Sequence, residues 1–359
     1  MKQYLDLLQN ILDNGREKES GRANMPNTFG LSHGTILMKD IHKEFPLLTT
    51  KKMFWKGIVH ELLWFLRGET NIKYLVDNNV NIWNGDAYRW YLKYANSLEE
   101  PDYDYHADDP MQNKTRIFTI EEFIENIKNG RLGSHNEYKL GDLGKVYGYQ
   151  WRNQNGVDQI ADIINDLKNN PYGRYKILDA WNKKDFPEMA LPPCHLLYQF
   201  IVRPMTDKER REILKEYLGE ENEWNANWTK LDWDKIEKEF KLPKYFLDLN
   251  MYQRSCDTFL GVPFNLASMS LLLLIIAQTV GMVAGDAFWI GGDTHIYVDH
   301  IDVVKEQLKR QPLQLPTMKI NKELNSLDDI LSLTINDFEL VGYKSQDKLK
   351  AELFTGLKK

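Results

Sequence analysis

Cysteine is scarce: Cys194 and Cys256 are the only two in 359 residues. Two thiols cannot build the disulfide framework of a small secreted fold, so the chain is expected in a reducing, cytoplasmic setting. Long apolar runs are missing as well. The longest, LLLLIIA at 271–277, falls short of the roughly 20 residues a membrane-spanning helix needs and reads as a buried helix. The N-terminal MKQYLDLLQN has acidic and amide residues where a signal peptide needs an apolar core. Positive charge is in deficit, with 46 Lys and Arg against 52 Asp and Glu. A net charge of -6 argues against a general nucleic-acid binder, while leaving room for a local basic pocket that holds one phosphate. Neither GxGxxG nor GxxxxGK[ST] occurs, and HELLW at 60–64 puts Trp64 where a zinc-protease helix needs its second His. GGDTHIYVDHID at 291–302 is rich in Asp and His. His295 and His300 lie five apart on an expected strand and turn, so they need not converge, and no metal site is expected.

What is present is a globular composition, 42% hydrophobic and 27% charged, with 10 Trp and 18 Tyr that suit core packing and some stacking surfaces. Residues 3–12 carry Leu5, Leu8 and Leu12 at helical spacing, and 15–30 read as a polar loop with Arg16 and Arg22. KGIVHELLWFLRGE (56–69) and FNLASMSLLLLIIAQTVGM are apolar nearly all round, as buried helices are. DQIADIINDLKN (158–169) is an amphipathic helix. KILDAW (176–181), LYQFIV (197–202) and YFLDLNMYQR (245–254) read as strands. The composition shifts from Asn84 to about Leu140, through the acidic, aromatic EEPDYDYHADDP and a short amphipathic helix at EEFIENIKN; it shifts again over 205–243. Both are expected to be insertions into one domain spanning 1–359, the second a helical excursion. Strands and helices mix without a regular βαβ rhythm, which favours α+β over a doubly wound sheet.

The chemistry starts at MALPPCH, where Cys194 precedes His195 on a proline-stiffened turn. A thiolate is a strong nucleophile and nearby cations lower its pKa. Adjacency alone is weak, since a lone cysteine is more often a small buried hydrophobe. YQRSCDTFLGVPFN adds Arg254 and Ser255, which suit a phosphate, and Asn265, whose amide suits the edge of a uracil ring. A nucleophile, a phosphate anchor and a base reader together imply a nucleotide substrate.

FPLLTTKK, ELLWFLRGETNIKYL, NIW, GDLGKVYGYQWR, MALPPCH, YQRSCDTFLGVPFNLAS and GGDTHIY together resemble the thymidylate synthase family, through nearly all of the chain outside the two insertions. The resemblance implies a homodimer on a curved mixed β-sheet with surrounding helices, acting on dUMP with 5,10-methylenetetrahydrofolate as the one-carbon donor and no metal. It implies that Cys194 attacks C6 of the pyrimidine and that Glu61 manages protons around O4, with Tyr147 and His195 completing the polar network. Gln253, Arg254 and Ser255 would bind nucleotide, joined by Arg22 and, from the partner subunit, by a second copy of Arg174. Asn265 would read uracil, His295 and Tyr297 would hold the sugar hydroxyl, and Lys51, Trp83, Asp257 and Gly261 would lie around the folate, Asp257 with a catalytic share.

Four departures from the family pattern stand out. The arginine loop, RANMPNTFG, looks two residues shorter. Asp86 stands where a second Trp is usual. Arg174 is followed by Tyr175 where a second arginine is usual, and KAELFTGLKK replaces a short apolar tail. The departures cluster around folate and the closing lid. A polar Asp86 and an altered tail favour entry of water at the exocyclic methylene, which would give hydroxymethyl in place of methyl. The chain therefore looks most like a dUMP hydroxymethylase of phage type, which would work in host cytoplasm. The alternative is a thymidylate synthase making dTMP; lesser alternatives are a dCMP hydroxymethylase and a non-catalytic nucleotide- or RNA-binding protein.

Overall fold

The computed structural model describes residues 1–95, 117–135, 138–218, 233–240 and 242–357. Helix α1 (Lys2–Asn14) is followed by strands β1 (Arg16–Lys18), β2 (Thr28–Leu31) and β3 (Gly34–Met38). Helices α2 (Trp55–Leu66), α3 (Lys73–Asp77), α4 (Asn84–Ala95) and α5 (Ile120–Lys128) come next. The short pair β4 (Ser134–His135) and β5 (Tyr138–Lys139) precedes α6 (Tyr147–Asn153), α7 (Gln159–Asn169) and β6 (Ile177–Asp179). Then follow β7 (His195–Pro204), α8 (Asp207–Leu218), α9 (Trp233–Phe240), β8 (Tyr245–Asp257), α10 (Gly261–Thr279) and β9 (Val283–Tyr297). The chain closes with α11 (Ile301–Leu308), β10 (Thr317–Ile320), α12 (Leu327–Leu331) and β11 (Phe338–Val341).

Seven strands share one sheet in the order β1-β2-β9-β8-β7-β6, with β3 also on β9. Only β8 and β9 pair in parallel; the other neighbours run antiparallel. A parallel pair needs a crossover, and α10 supplies it, which makes the fold α+β on a mixed sheet. Alternation sets the two faces. Leu247, Leu249, Met251 and Gln253 of β8 point inward and are buried, opposite Phe200 and Tyr198 on one side and Ala287 and Trp289 on the other. Helix α10 covers this face and packs on α2 and α12 as well. Enclosure on all sides explains why α10 is apolar all round. Its 19 residues are long and apolar enough to cross a membrane by composition, so the seven-residue run understated it. Here α10 is the core helix of the sheet.

The outward face is different. Leu37, Ile177, Ile201 and Tyr252 are exposed there, and Phe288 and Ile290, the β9 partners of Leu37 and Tyr252, lie between them. This apolar face spans five neighbouring strands, β3, β9, β8, β7 and β6.

Two readings change on contact with the structure. Residues 15–30 are not all loop: β1 and β2 form a hairpin, because Thr28–Leu31 finds the open edge of β9 and hydrogen-bonds to it. Helix α1 buries Tyr4, Leu7, Leu8 and Ile11, a stripe one residue round from the leucine stripe, since Tyr4 reaches the backbone carbonyl of Thr258. Between 84 and 140, α4 joins the main core through Ala87, Trp90 and Tyr91 and α5 through Phe123 and Ile127, with Thr119 capping α5. EEPDYDYHADDP at 99–110 lies outside the described residues. Between 205 and 243, α8 and α9 close on a small cluster of their own: Leu214, Ile236 and Leu242.

Candidate active site

The two prolines of LPPCH turn the chain into β7, and Arg254 of the neighbouring β8 fastens that turn. Its Nε donates to the Pro193 carbonyl at 2.7 Å and its Nη2 to the Pro192 carbonyl at 2.8 Å. The same Nη2 lies 3.8 Å from Cys194 Sγ, and the Arg254 amide donates to the Cys194 carbonyl at 2.8 Å. Burial pushes the Cys194 thiol up, while the positive charges of Arg254 and Arg22 pull it down. The thiol is thus poised between desolvation and two cations. Cys256 is buried, donates to the Gln253 carbonyl, and is raised much further by burial.

Beside the thiol stands an aromatic and imidazole stack. Tyr147 Oη accepts from the Cys194 amide at 2.7 Å, and its ring stacks on His195 with centroids 4.4 Å apart. Close backbone approach seats Tyr147 here. Gly144, at φ +72°, lets Lys145 N bond to the Glu188 carbonyl at 3.0 Å; a Cβ at Gly144 would sit 1.9 Å from that oxygen. His195 Nδ1 pairs with Tyr198 Oη at 2.7 Å. Burial lowers the His195 pKa to about 3, so the imidazole is neutral at ordinary pH. Glu61 projects from α2 and accepts from the Trp83 indole N–H at 2.7 Å. Burial raises its pKa to about 7, against the opposing pull of that hydrogen bond.

Asn265, on the first turns of α10, takes a hydrogen bond on Oδ1 from Gln253 Nε2 at 3.1 Å. Gly261, one turn earlier, leaves its place beside Asn265 Oδ1 and Asp257 open. Asp257 Oδ1 accepts from the amides of Phe259 and Leu260, both at 3.1 Å, and so shapes the entry to α10. Lys51 is buried under that turn. It donates to the Phe259 carbonyl, lies 3.9 Å above the Phe259 ring, and is lowered to about 7 by burial. Ser255 offers its carbonyl to Gln253. His295 Nδ1 meets the carbonyl and carboxylate of Asp293, and its ring lies 5.4 Å from that of Tyr297.

Arg22 is exposed on the loop between β1 and β2, near enough to act electrostatically on Cys194, Asp86 and Tyr297. Arg174 stands apart from this group on the exposed turn before β6. That turn is anchored by Lys176, whose fully buried ammonium donates to the Asn170 and Gly173 carbonyls and pairs with Asp166 at 2.9 Å. Asp86 is not an open polar surface. It pairs with Arg89 at 2.6 Å, and Arg89 also donates to the Ala190 carbonyl and to the Thr355 carbonyl of the tail. Asn24 Nδ2 donates to the Gly356 carbonyl at 3.2 Å, and Phe354 stacks on His300 and meets the Tyr297 ring. The tail is therefore docked on the arginine loop, α4 and the Tyr297 segment. Among the described residues no group of three His, Cys, Asp or Glu is placed to hold a metal.

The structure thus sets a thiol beside a fixed arginine, with a carboxyl titrating near neutrality on α2 and an amide on the first turns of α10. Residues 2–355 match the thymidylate synthase family, and the chain belongs to it. The thymidylate synthase of Malacoplasma penetrans (strain HF-2) is 42% identical over 354 residues, covering 98% of this chain and 99% of that protein. That of Mycoplasma mobile is 39% identical over 354 residues and that of Mesoplasma florum 39% over 356, each covering 98% of this chain and 99% of the relative. Members of the family bind dUMP and take their carbon from methylenetetrahydrofolate.

These matches favour the alternative, a thymidylate synthase, over the hydroxymethylase reading, and nothing in them points to a phage. The relatives carry the plain name thymidylate synthase, and the likeness covers nearly all of this chain and of each relative. The family match itself runs to Thr355, inside the segment that looked foreign. Asp86 does differ from Trp, and its carboxylate is paired with Arg89. Arg89, Tyr198, Lys176 and Trp289 went unremarked in the sequence: Arg89 and Trp289 find Thr355 and Gln253 far away in the chain, while Tyr198 meets His195 three residues back and Lys176 the Asn170 carbonyl six residues back. The proline pair at 192–193 was visible, but not that Arg254 would hold both carbonyls.

Trp83→Phe should move the Glu61 titration upward from about 7, since it removes the hydrogen bond that favours the ionised form. The carboxyl infrared band that disappears in Glu61→Gln reports this titration. A midpoint that stays or falls would contradict the assignment. The raised pKa also has a stability sign. Stabilisation from protonated Glu61 is complete below its unfolded-state pKa and is lost as pH rises through about 7.

Proposed function

We propose that this chain makes dTMP and dihydrofolate from dUMP and methylenetetrahydrofolate. The observation that carries the methyl outcome over the hydroxymethyl one is the docked tail: Asp86 holds Arg89, and Arg89 holds Thr355. That arrangement favours a site shut against water while the exocyclic methylene exists. Cys194 bonds to C6 of the pyrimidine, and the displaced electron pair makes C5 the nucleophile. C5 bonds to the folate methylene and gives up its proton. Loss of the folate nitrogen leaves an exocyclic methylene; hydride from the folate converts it to methyl; Cys194 then leaves C6.

Glu61 is the better proton carrier of the two candidates, because its carboxyl titrates near 7 while His195 is held near 3. His195 and Tyr147 then act as neutral hydrogen-bonding partners around the reacting ring. Arg254 has two tasks, fixing the turn that carries Cys194 and lowering the cost of its thiolate. Ser255 and Arg22 complete the phosphate site, with His295 and Tyr297 on the sugar. Lys51, Trp83, Asp257 and Gly261 stay on the folate side as supports of the wall, since Lys51 and Trp83 are buried and bonded to protein groups.

A second copy of this chain is the partner of the outward sheet face. Leu37, Ile177, Ile201 and Tyr252 are too apolar a set for open water across five strands. In the dimer, the partner subunit's Arg174 reaches the phosphate. Mixing inactive Cys194→Ala with inactive Arg174→Ala protein should restore activity in mixed dimers, about a quarter of the wild-type level at equal ratio if one intact site works alone. No recovery after proven subunit exchange would refute the shared site.

The product decides the main reading. Incubation with dUMP and methylenetetrahydrofolate should give dTMP and dihydrofolate in equal amounts, with no oxygen-18 from labelled water in the nucleotide. Hydroxymethyl-dUMP with unoxidised tetrahydrofolate would refute it.

A further inference from the structure

Behind Asn265 lies a buried hydrogen-bond relay that the reaction itself does not use. Trp289 of β9 is fully buried, and its indole N–H donates to Gln253 Oε1 at 3.0 Å. Gln253, also buried, sends its amide nitrogen to the Ser255 carbonyl at 3.0 Å and to Asn265 Oδ1 at 3.1 Å. The direction of the relay is forced by chemistry. An indole nitrogen can only donate, and a backbone carbonyl can only accept. Gln253 must therefore turn its oxygen to Trp289 and its nitrogen to Ser255 and Asn265. Asn265 in turn commits its oxygen to Gln253, and its amide N–H group remains for the nucleotide.

We infer that Trp289 is a specificity-determining positioning residue: through Gln253 it orients the Asn265 amide so that the site presents a donor to position 4 of the pyrimidine. A 4-carbonyl, as in uracil, accepts that donor; a 4-amino group, as in cytosine, is itself a donor and meets it unpaired. The sheet is built to hold the indole in place. Gln253 and Gly291 are register partners across β8 and β9, and a Cβ at Gly291 would sit 2.4 Å from Trp289 Cη2. The ring thus lies over the glycine, against Gln253. This inference rests on Asn265 being the base reader of a dUMP site.

Equilibrium dialysis of purified, folded variants against dUMP and dCMP tests it, with the ratio of the two affinities as the readout. Trp289→Phe should lower the dUMP-over-dCMP ratio about tenfold, the worth of one neutral hydrogen bond. Trp289→His is smaller still but keeps an N–H, and should hold the ratio within about threefold of wild type. General packing damage would weaken both nucleotides alike and leave the ratio unchanged; that result in Trp289→Phe would overturn the inference. Gln253→Met, which cuts the relay in the middle, should lose the preference at least as far. It decides the matter if Trp289→Phe does not fold, and an unchanged ratio there is equally fatal. A wild-type protein that fails to bind dUMP would instead refute the dUMP reading itself.

Discussion

The site depends on one residue held in two roles. Arg254 spends its guanidinium on the carbonyls of Pro192 and Pro193, which pins the turn, and lies 3.8 Å from the Cys194 sulfur. A thiol this enclosed is pushed toward its neutral form, and the arginine is the largest force against that. Proline carbonyls make good anchors for such a strut, because residues 192 and 193 already have restricted backbones. Positioning and activation therefore cannot be separated by substitution at Arg254: any change that frees the charge also frees the turn.

Around this strut the site is assembled from elements distant in the chain. Helix α2 brings Glu61, the start of α6 brings Tyr147, β7 brings Cys194 and His195, β8 brings Gln253 and Arg254, and α10 brings Asn265. The parallel pairing of β8 with β9 places Gln253 beside Gly291 and Trp289, and the crossover α10 returns Asn265 to the same end of the sheet. The polar groups divide by protonation. Glu61 titrates near 7 and His195 near 3, so one carboxyl can exchange protons inside a wall of neutral hydrogen-bonding side chains.

The α+β class, the buried helices α2 and α10 and the strands β7 and β8 were legible in the sequence, since each rests on periodicity and apolar content. Cys194 and Arg254 were legible as residue types within ordered motifs, but not the contact between them. What could not be read was which partner each polar group would choose. Asp86 is the clearest example. As a letter it looked like an opening for water; in the fold it is an ion pair with Arg89 three residues on, and that arginine holds the tail. The placing of the tail was hidden for the same reason, because Phe354 and Gly356 find their contacts on His300 and Asn24, far off in the chain. The hairpin of β1 and β2 was hidden by polar composition, since its pairing is set by the free edge of β9.

A trapped covalent complex tests the role of Cys194 most directly. In 5-fluoro-dUMP the C5 fluorine cannot leave as a cation, so the reaction should stop after carbon transfer with nucleotide and folate both attached. Digestion and mass spectrometry should then find one nucleotide–folate adduct per chain, on the peptide containing LPPCHLLYQF, at Cys194. An adduct on Cys256, or none from active protein, would contradict a mechanism in which the Arg254-held thiol is the nucleophile.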